Sequence, residues 1–430
     1  MDKIRVLIFP AGAENALEIY DAIRYNVNIE AFGVSGKADH AQFVYDEEHY
    51  FESEDYYIDN PDFRDKFCNL LQRLSIDVLI PTHDTIALYF ALNARYFPVK
   101  ILTSDLKTAQ VCREKKKMYG LFEDCSFCPK IYHNIEDIIG SSLLFAKPNI
   151  GEGAKGAGII RSLNDLQFYL DGYKKEYVIM EYLPGDEFTV DCFTYSKGNL
   201  RYCGIRTRER IQMGIAFRSE TVVLPEEVSQ IAQIINQRLN FFGGWFFQVK
   251  KDKNNKYKLL EISCRMAGTM TLHRHKGINF ALLGIFEIMG VATEYLELPG
   301  TLKLDRSLRT KFQWDHSYKK IYIDYDDTVT NGEGVNEEVL QFLYQCRKNE
   351  KKVILLTRHQ GNLKDDMDKR CIHSGLFDEI IHISIEENKE DFINPIEAIF
   401  IDNSFAERKK VAEFFHIPVL DVDAVDMLLN

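Results

Sequence analysis

The chain has 430 residues, of which 46% are hydrophobic and 27% are charged, and its formal net charge is −12. That length predicts two or more domains, at roughly 150 residues per domain. The negative charge disfavours nucleic acid and anionic membrane surfaces as partners, since both select basic proteins. The sequence contains no apolar run of about 18 residues and no signal-peptide pattern, so we expect a cytoplasmic protein.

Residues 1–112 alternate short apolar runs with helical patterns, beginning with IRVLIF, ALEIYDAIRY and IEAFGV. Alternating strands and helices are typical of a doubly wound parallel sheet. The turn PAGAENA could bring backbone N–H groups close to an anion at the start of the first helix. It lacks the GxGxxG spacing, so the sequence does not favour dinucleotide binding in this segment.

Residues 113–300 change to hairpins with long helices between them, which predicts an α+β domain. The stretch LLFAKPNIGEGAKGAGII places Lys147 at a strand end, followed by a glycine-rich loop with Gly153 and Lys155. Glycines let backbone N–H groups approach phosphate oxygens, and lysine adds a compact cation. Glycine-rich hairpins are also common structural turns, so this stretch alone leaves both interpretations open.

Two later strands carry oxygen ligands. GGWFFQVKKDKNNKYKLLEISCRMAGTM places Gln248 and Glu261 on strands that the hairpin signal NN joins. Antiparallel neighbours can bring such groups together, as a hard cation such as Mg²⁺ requires. Ser263 lies two residues after Glu261 and shares its face, and Arg265 adds a guanidinium that can bind phosphate.

The stretch GIRTRERIQMG places Arg206, Arg208 and Arg210 at the period of a strand. This spacing predicts three guanidiniums on one face, suited to an anionic substrate or an acyl phosphate. The alternative interpretation is a solvated strand face.

The order of these features resembles the ATP-grasp superfamily, and most closely the branch similar to the large chain of carbamoyl-phosphate synthetase. The likeness includes residues 1–112, which resemble the pre-ATP-grasp domain of those enzymes. It implies a set of ATP contacts: Lys115, Lys147, Gly153, Lys155, Glu181, Leu183 and Glu187. It also implies Mg²⁺ (or Mn²⁺) ligands at Gln248, Glu261 and Ser263, with Arg265 near the γ-phosphate. Ser263 stands where the family usually has Asn, which puts the second metal position in question.

A Pro-Gly turn in LPGTLKLD predicts a linker over residues 301–318, after which strand–helix alternation resumes over residues 319–430. The first strand of this segment runs into DYDDTVT, which places Asp324 and Asp326 on one side of its carboxyl end. Ligands bind at that edge of α/β sheets. An exposed structural turn is the alternative for this stretch.

Two further strands of this segment end in polar residues, KKVILLTRHQ with Thr357 and EAIFIDNS with Asp402. The order and spacing resemble the haloacid dehalogenase-like phosphatase superfamily, with a capless Rossmann-like domain. The likeness implies that Asp324 is the nucleophile, that Asp326 is the general acid and base, and that Thr357 binds phosphate. It also implies that Lys389 steadies the phosphate, with Lys364 as the less favoured alternative, and that Asp324 and Asp402 bind Mg²⁺. Asn403 stands where many relatives have a second acid.

The chain is therefore predicted to be an α/β and α+β multidomain enzyme with two activities. The first would be an ATP- and Mg²⁺-dependent ligase that joins a carboxylate to an amine through an acyl phosphate. The second would be a phosphatase that acts on a phosphoester of a related metabolite through an aspartyl phosphate. The alternatives are a kinase or other phosphoryl transferase combined with the phosphatase, and a catalytically decayed ATP-binding module. The sequence leaves the substrates and a homodimeric state open.

Overall fold

The computed structural model describes residues 3–133, 143–151, 153, 155–170, 176–212, 214–308 and 310–429. Two residues of the glycine-rich loop, Glu152 and Ala154, lie outside these ranges. The chain divides into two compact units, Met1–Leu308 and Arg309–Asn430, and the division falls within the predicted linker. No helix in the described ranges has the length and apolar content that a membrane crossing needs.

The first unit begins with an α/β arrangement of parallel strands. Its elements are β1 (Ile4–Phe9), α1 (Glu14–Ile23), β2 (Ile29–Ser35), β3 (Tyr50–Glu52), α2 (Phe63–Arg73), β4 (Val78–Pro81), α3 (Asp84–Asn93) and β5 (Lys100–Ile101). The strands form a parallel sheet in the order β3-β2-β1-β4-β5. β1 lies at the centre, where both faces are covered by protein, and its residues Val6 to Phe9 are apolar and buried.

Helix α2 packs its apolar side against this sheet. Its buried residues Phe63, Phe67, Leu70 and Leu71 recur at helical spacing. The rings of Phe63 and Phe67 pack on each other, and Phe67 reaches Phe9 of β1 with 4.9 Å between ring centroids. The parallel, doubly wound arrangement predicted for the start of the chain is thus present.

The rest of the first unit is mainly antiparallel. Its elements are α4 (Leu106–Arg113), α5 (Lys115–Phe122), β6 (Ile131–Tyr132), β7 (Leu144–Pro148), β8 (Gly158–Ile160), α6 (Leu163–Leu170), β9 (Tyr177–Glu181), β10 (Glu187–Thr194), β11 (Leu200–Thr207), β12 (Arg210–Gln212), β13 (Ile215–Val222), α7 (Glu226–Arg238), β14 (Gly243–Lys251), β15 (Tyr257–Ser263), α8 (Thr271–His275), α9 (Phe280–Met289) and β16 (Lys303–Asp305). Among the described residues the small sheet has the order β6-β9-β7-β8, and the large sheet has the order β12-β13-β11-β10-β14-β15. β16 pairs with β13, so part of the predicted linker belongs to the large sheet.

The large sheet separates apolar from polar side chains by strand alternation. One face joins the core that α5 and α7 also enter, through Val190, Ile205, Phe247, Val249 and Leu259. The opposite face carries polar residues in register: Thr189 lies opposite both Arg206 and Gln248, and Gln248 lies opposite Glu261. Because side chains alternate with a period of two, these polar residues of β10, β11, β14 and β15 lie on one face of the sheet.

The second unit is a parallel α/β sheet. Its elements are β17 (Lys320–Ile323), β18 (Thr330–Asn331), β19 (Gly334–Val335), α10 (Glu337–Lys348), β20 (Lys352–Thr357), α11 (Leu363–Lys369), β21 (Glu379–His382), β22 (Ala398–Ile401), α12 (Phe405–Phe415) and β23 (Val419–Leu420). The parallel strands have the order β21-β20-β17-β22-β23, and β18 and β19 form a short hairpin before α10 that the sequence analysis did not predict. Because β17, β20 and β22 are neighbours that end at one edge, Asp324, Thr357 and Asp402 are brought to the same side of the unit.

The core face of the large sheet can be tested by substitution. Phe247 is fully buried, whereas Phe168 on α6 is 64% exposed. We expect Phe247→Ala to lower the free energy of unfolding by about 3–5 kcal/mol, because it removes a packed ring and leaves a cavity. Phe168→Ala, the matched control, should change it by less than about 0.5 kcal/mol. Urea unfolding of the full chain measures both, and equal losses would contradict the burial of Phe247 in the core face of the sheet.

Candidate active sites

A cavity of about 210 Å³ lies in the first unit, and most of the predicted ATP contacts line it. The predicted site residues on its wall are Lys115, Lys147, Gly153, Lys155, Glu187, Arg208, Gln248 and Glu261. They come from the start of α5, the end of β7, the glycine-rich loop, and the polar face of the large sheet. Residues separated by more than a hundred positions thus meet around one space.

Lys147 lies beneath this cavity and is only 7% exposed. Its ammonium donates hydrogen bonds to the Tyr119 hydroxyl and, over 2.5 Å, to the backbone carbonyl of Leu260. Burial lowers the pKa of Lys147 to about 7, and the positive charge of Lys115 contributes. A negatively charged ligand in the cavity would therefore favour the protonated form of Lys147 and be stabilised by it.

Gln248 and Glu261 form the part of the cavity suited to a cation. They lie directly opposite each other on β14 and β15, and both side chains reach the cavity wall. An amide oxygen beside a carboxylate matches the oxygen ligands that Mg²⁺ selects. The pair therefore fits the metal that the resemblance implies.

Glu187 and Arg208 form an ion pair on the cavity wall. Glu187 Oε1 accepts a hydrogen bond from Arg208 Nε over 2.7 Å, and Arg208 also donates to the Gly214 carbonyl over 2.8 Å. Glu187 thus positions a guanidinium at the cavity, a partnership that the sequence analysis did not predict.

The three predicted substrate arginines do not form one surface. Arg206 is 1% exposed, and its guanidinium binds Asp191 through bonds of 2.6 and 3.2 Å. Arg210 pairs with Asp305 of β16. β11 ends at Thr207 and β12 begins at Arg210, so the strand period does not run through all three. Of the three, only Arg208 lines the cavity.

Ser263 and Arg265 contact a carboxylate that the sequence analysis missed. The Ser263 hydroxyl donates to Asp84 Oδ1 over 2.6 Å, and Arg265 Nε donates to Asp84 Oδ2 over 3.2 Å. Burial alone would raise the pKa of Asp84, but the charge of Arg265 and the bond from Ser263 lower it. The place of Asp84 at the start of α3, in the turn that follows β4 at the carboxyl edge of a parallel sheet, was the available signal.

Two of the predicted ATP contacts, Glu181 and Leu183, lie in different surroundings. Glu181 Oε1 accepts a hydrogen bond from the backbone N–H of Lys130 over 2.9 Å. Leu183 is buried in the core that also contains Tyr119. Neither residue is on the wall of the cavity as described.

The second unit contains a buried triad of charges. Lys389 Nζ donates to Asp324 Oδ1 over 2.6 Å and to Asp402 Oδ2 over 2.7 Å, and all three side chains are buried. Burial and the nearby Asp402 raise the pKa of Asp324 to about 6, although Lys389 opposes the shift. Lys364 is exposed on α11, so of the two candidate lysines it is Lys389 that reaches the carboxylates.

Thr357 and Asp326 are linked by a residue that the sequence analysis missed. His359 donates its backbone N–H to Thr357 Oγ1 over 3.1 Å, and its ring Nδ1 lies 2.9 Å from Asp326 Oδ1. Asp326 is exposed, in contrast to Asp324. The position of His359, two residues beyond the predicted phosphate contact Thr357, was the signal in the sequence.

The metal site predicted for the second unit contains two carboxylates, Asp324 and Asp402. Among the described residues, no group of three or more His, Cys, Asp or Glu side chains is arranged to hold a metal ion. A hard cation beside Asp324 and Asp402 would draw further ligands from backbone oxygen or water. The side-chain oxygen of Asn403 accepts a hydrogen bond from the Thr328 hydroxyl over 3.3 Å, and the same hydroxyl accepts the Asn403 backbone N–H over 3.1 Å.

Comparison with known proteins concerns the first unit. Residues 173–304 match a family model described as ATP-grasp in the biosynthetic pathway with Ter operon. No curated protein sequence matches the chain.

Several solved structures share the fold. The biotin carboxylase domain dimer of 2-oxoglutarate carboxylase from Hydrogenobacter thermophilus, in complex with MgADP, ADP and bicarbonate, has a TM-score of 0.58 at 12% identity, over 70% of this chain and 74% of that chain. N5-carboxyaminoimidazole synthetase from Staphylococcus aureus, complexed with ADP, has a TM-score of 0.55 at 15% identity, over 68% and 79%. An L-amino acid ligase from Bacillus licheniformis has a TM-score of 0.52 at 16% identity, over 69% and 75%. Together with the family model, these structures support an ATP-grasp domain in a mixed α/β multidomain chain. At identities this low, they are evidence for the fold but not for the substrate.

The lowered pKa of Lys147 predicts a pH-dependent stability. Above about pH 7 the unfolded chain holds the Lys147 proton and the folded chain has released it. The free energy of unfolding of the wild type should then rise with pH relative to Lys147→Met, by at most about 1.4 kcal/mol per pH unit. Below that pH both states hold the proton, so the difference should be constant. Urea unfolding across this range measures the slope, and a flat difference would show that folded Lys147 keeps its proton.

Lys389 should be important for the stability of the second unit. We expect Lys389→Met to lower the free energy of unfolding by about 3–5 kcal/mol, because Asp324 and Asp402 would remain buried without their cation. Lys364→Met removes an exposed lysine from the same unit and should change it by less than about 0.5 kcal/mol. Urea unfolding of the full chain compares the two variants. A Lys389→Met chain as stable as the control would contradict the buried triad.

Proposed function

We propose that the chain is a bifunctional enzyme: an ATP- and Mg²⁺-dependent ligase that joins a carboxylate to an amine, combined with a phosphatase. The observation that carries the ligase half is the cavity in which three lysines, a glycine-rich loop and the Gln248–Glu261 pair meet. Cations and backbone N–H groups around one space suit a polyphosphate. The ADP complexes of two structural neighbours support an adenine nucleotide as the ligand.

In the ligase half, a carboxylate oxygen of the substrate would attack the γ-phosphorus of ATP, and the bond to ADP would break. An amine would then attack the resulting acyl phosphate and release inorganic phosphate. Lys115 and Lys147 would stabilise the phosphate charge, and Arg265, held by Asp84, would act near the transferring group. Arg208 is the arginine available at the cavity for an anionic substrate.

The metal would have a defined place in each half. Gln248 and Glu261 would hold Mg²⁺ in the first unit. Asp324 and Asp402 would hold it in the second. When bound, Mg²⁺ supplies positive charge to phosphate oxygens.

In the phosphatase half, the Asp324 carboxylate would attack the phosphorus of a phosphoester, and the bond to the ester oxygen would break. Asp326 would give its proton to that oxygen, then accept one from the water that releases phosphate from Asp324. Lys389 lies 2.6 Å from the Asp324 carboxylate and would balance the charge, and Thr357 would bind a phosphate oxygen. The buried triad carries this half of the proposal.

The test is mass spectrometry of a cell metabolite extract incubated with ATP, Mg²⁺ and the full chain. The wild type is compared with Glu261→Gln, which weakens the cation site of the ligase, and with Asp324→Asn, which removes the nucleophile. Asp327→Asn is the matched control, since Asp327 is an exposed neighbour of the same charge. We expect ADP and a conjugate with the wild type and the control, and neither with Glu261→Gln. With Asp324→Asn we expect a phosphorylated metabolite to accumulate.

The other outcomes discriminate between the alternatives. ADP together with a phosphorylated hydroxyl product would favour a phosphoryl transferase over a ligase. Extracts that are identical for all four proteins would contradict both activities and favour an ATP-binding module without turnover.

A further inference from the structure

A β-bulge lies where the large sheet meets the candidate ATP cavity. Gln248 pairs with Glu261, whereas Val249 pairs with Leu259, so Leu260 is the extra residue of β15. Its backbone carbonyl accepts hydrogen bonds from Lys147 Nζ over 2.5 Å and from the Tyr119 hydroxyl over 2.8 Å. The bulge therefore turns a backbone acceptor away from the sheet and towards the lysine.

Tyr119 approaches the same lysine from helix α5. The helix begins at Lys115, whose backbone N–H donates to the Asn149 carbonyl over 3.1 Å and so attaches the helix to the chain beyond β7. Tyr119 follows four residues later on the same helix face. Its ring centroid lies 4.8 Å from Lys147 Nζ, and its hydroxyl accepts a hydrogen bond from that atom.

Among the described residues, the hydrogen bonds of Lys147 engage two of its three donors. An ammonium has three donors, and two of them are directed to the Tyr119 oxygen and the Leu260 carbonyl. The Tyr119 proton is itself directed to Leu260, which leaves the phenol lone pairs for the lysine. We propose that Tyr119 and the bulged carbonyl of Leu260 are positioning groups that direct the third N–H of Lys147 at a phosphate of ATP.

This inference rests on the proposed function, because it needs ATP in the cavity. Preorganised donors stabilise charge better than mobile ones. Without the phenol oxygen, one N–H of Lys147 loses its partner and the side chain can leave the position that faces the phosphate. The affinity for adenosine should not change, since adenosine has no phosphate for Lys147 to contact.

The test is calorimetric binding of ATP and of adenosine to the full-length wild type, Tyr119→Phe, Lys147→Met and the double variant. We expect Tyr119→Phe to weaken ATP binding by roughly tenfold, the lower end for a lost hydrogen bond to a charged group. Adenosine binding should be unchanged. The double variant should bind ATP as Lys147→Met does, because Tyr119 acts through the lysine. Tyr195→Phe is the matched control, since its hydroxyl donates to the Thr293 carbonyl over 3.2 Å and lies outside the cavity wall.

Each other outcome overturns the inference. A Tyr119→Phe variant that binds ATP like the wild type would leave the proposed function intact and remove the positioning role. Equal weakening of ATP and adenosine would indicate a general structural effect, and additive losses in the double variant would show that Tyr119 does not act through Lys147. A wild type that binds no ATP would contradict the proposed function together with this inference.

Discussion

Both candidate sites depend on the burial of a lysine ammonium among oxygen acceptors. Burial destabilises the charged form, so each site must compensate with partners. Lys147 has a phenol and a backbone carbonyl, which are neutral, and its pKa falls to about 7. Lys389 has two carboxylates, one of which has a pKa raised to about 6. The negative charge of a phosphate would therefore stabilise the protonated form of Lys147. In the second site, a further cation would stabilise the two carboxylates.

Strand alternation organises the first site around this lysine. The core face of the large sheet is apolar, and Glu187, Asp191, Arg206 and Glu261 lie on the opposite face because side chains alternate along each strand. There the charges neutralise one another. Arg206 is held by Asp191 and Arg208 by Glu187. The bulge at Leu260 is the one interruption described between β14 and β15, and it lies beside the residues that would bind ATP and its metal.

Parallel strands contribute in a different way, through the residues that follow their carboxyl ends. Asp84 follows β4 in the first unit, and Asp324 and Asp402 follow β17 and β22 in the second. These are the positions at which α/β folds expose polar groups while their strands remain buried. In the first unit, Asp84 at the edge of the N-terminal parallel sheet accepts hydrogen bonds from Ser263 of β15 and from Arg265, which follows β15. A serine hydroxyl at that place is thus used as a hydrogen-bond donor to Asp84.

The sequence by itself determined the parallel and antiparallel character of the segments, because hydrophobic periodicity is a local property of the chain. It also indicated the lysines, the Gln248–Glu261 pair, and the carboxylates at strand ends, since these follow from the periods of two and from motif order. It did not predict the partners of charged groups. Arg206 has the spacing of a substrate residue, but Asp191 on the neighbouring strand binds it. The partners of Asp84, Tyr119 and His359 became visible only once distant elements were packed together. The tertiary structure decided which acceptor each buried charge meets, because that choice depends on distances between atoms that lie far apart along the chain.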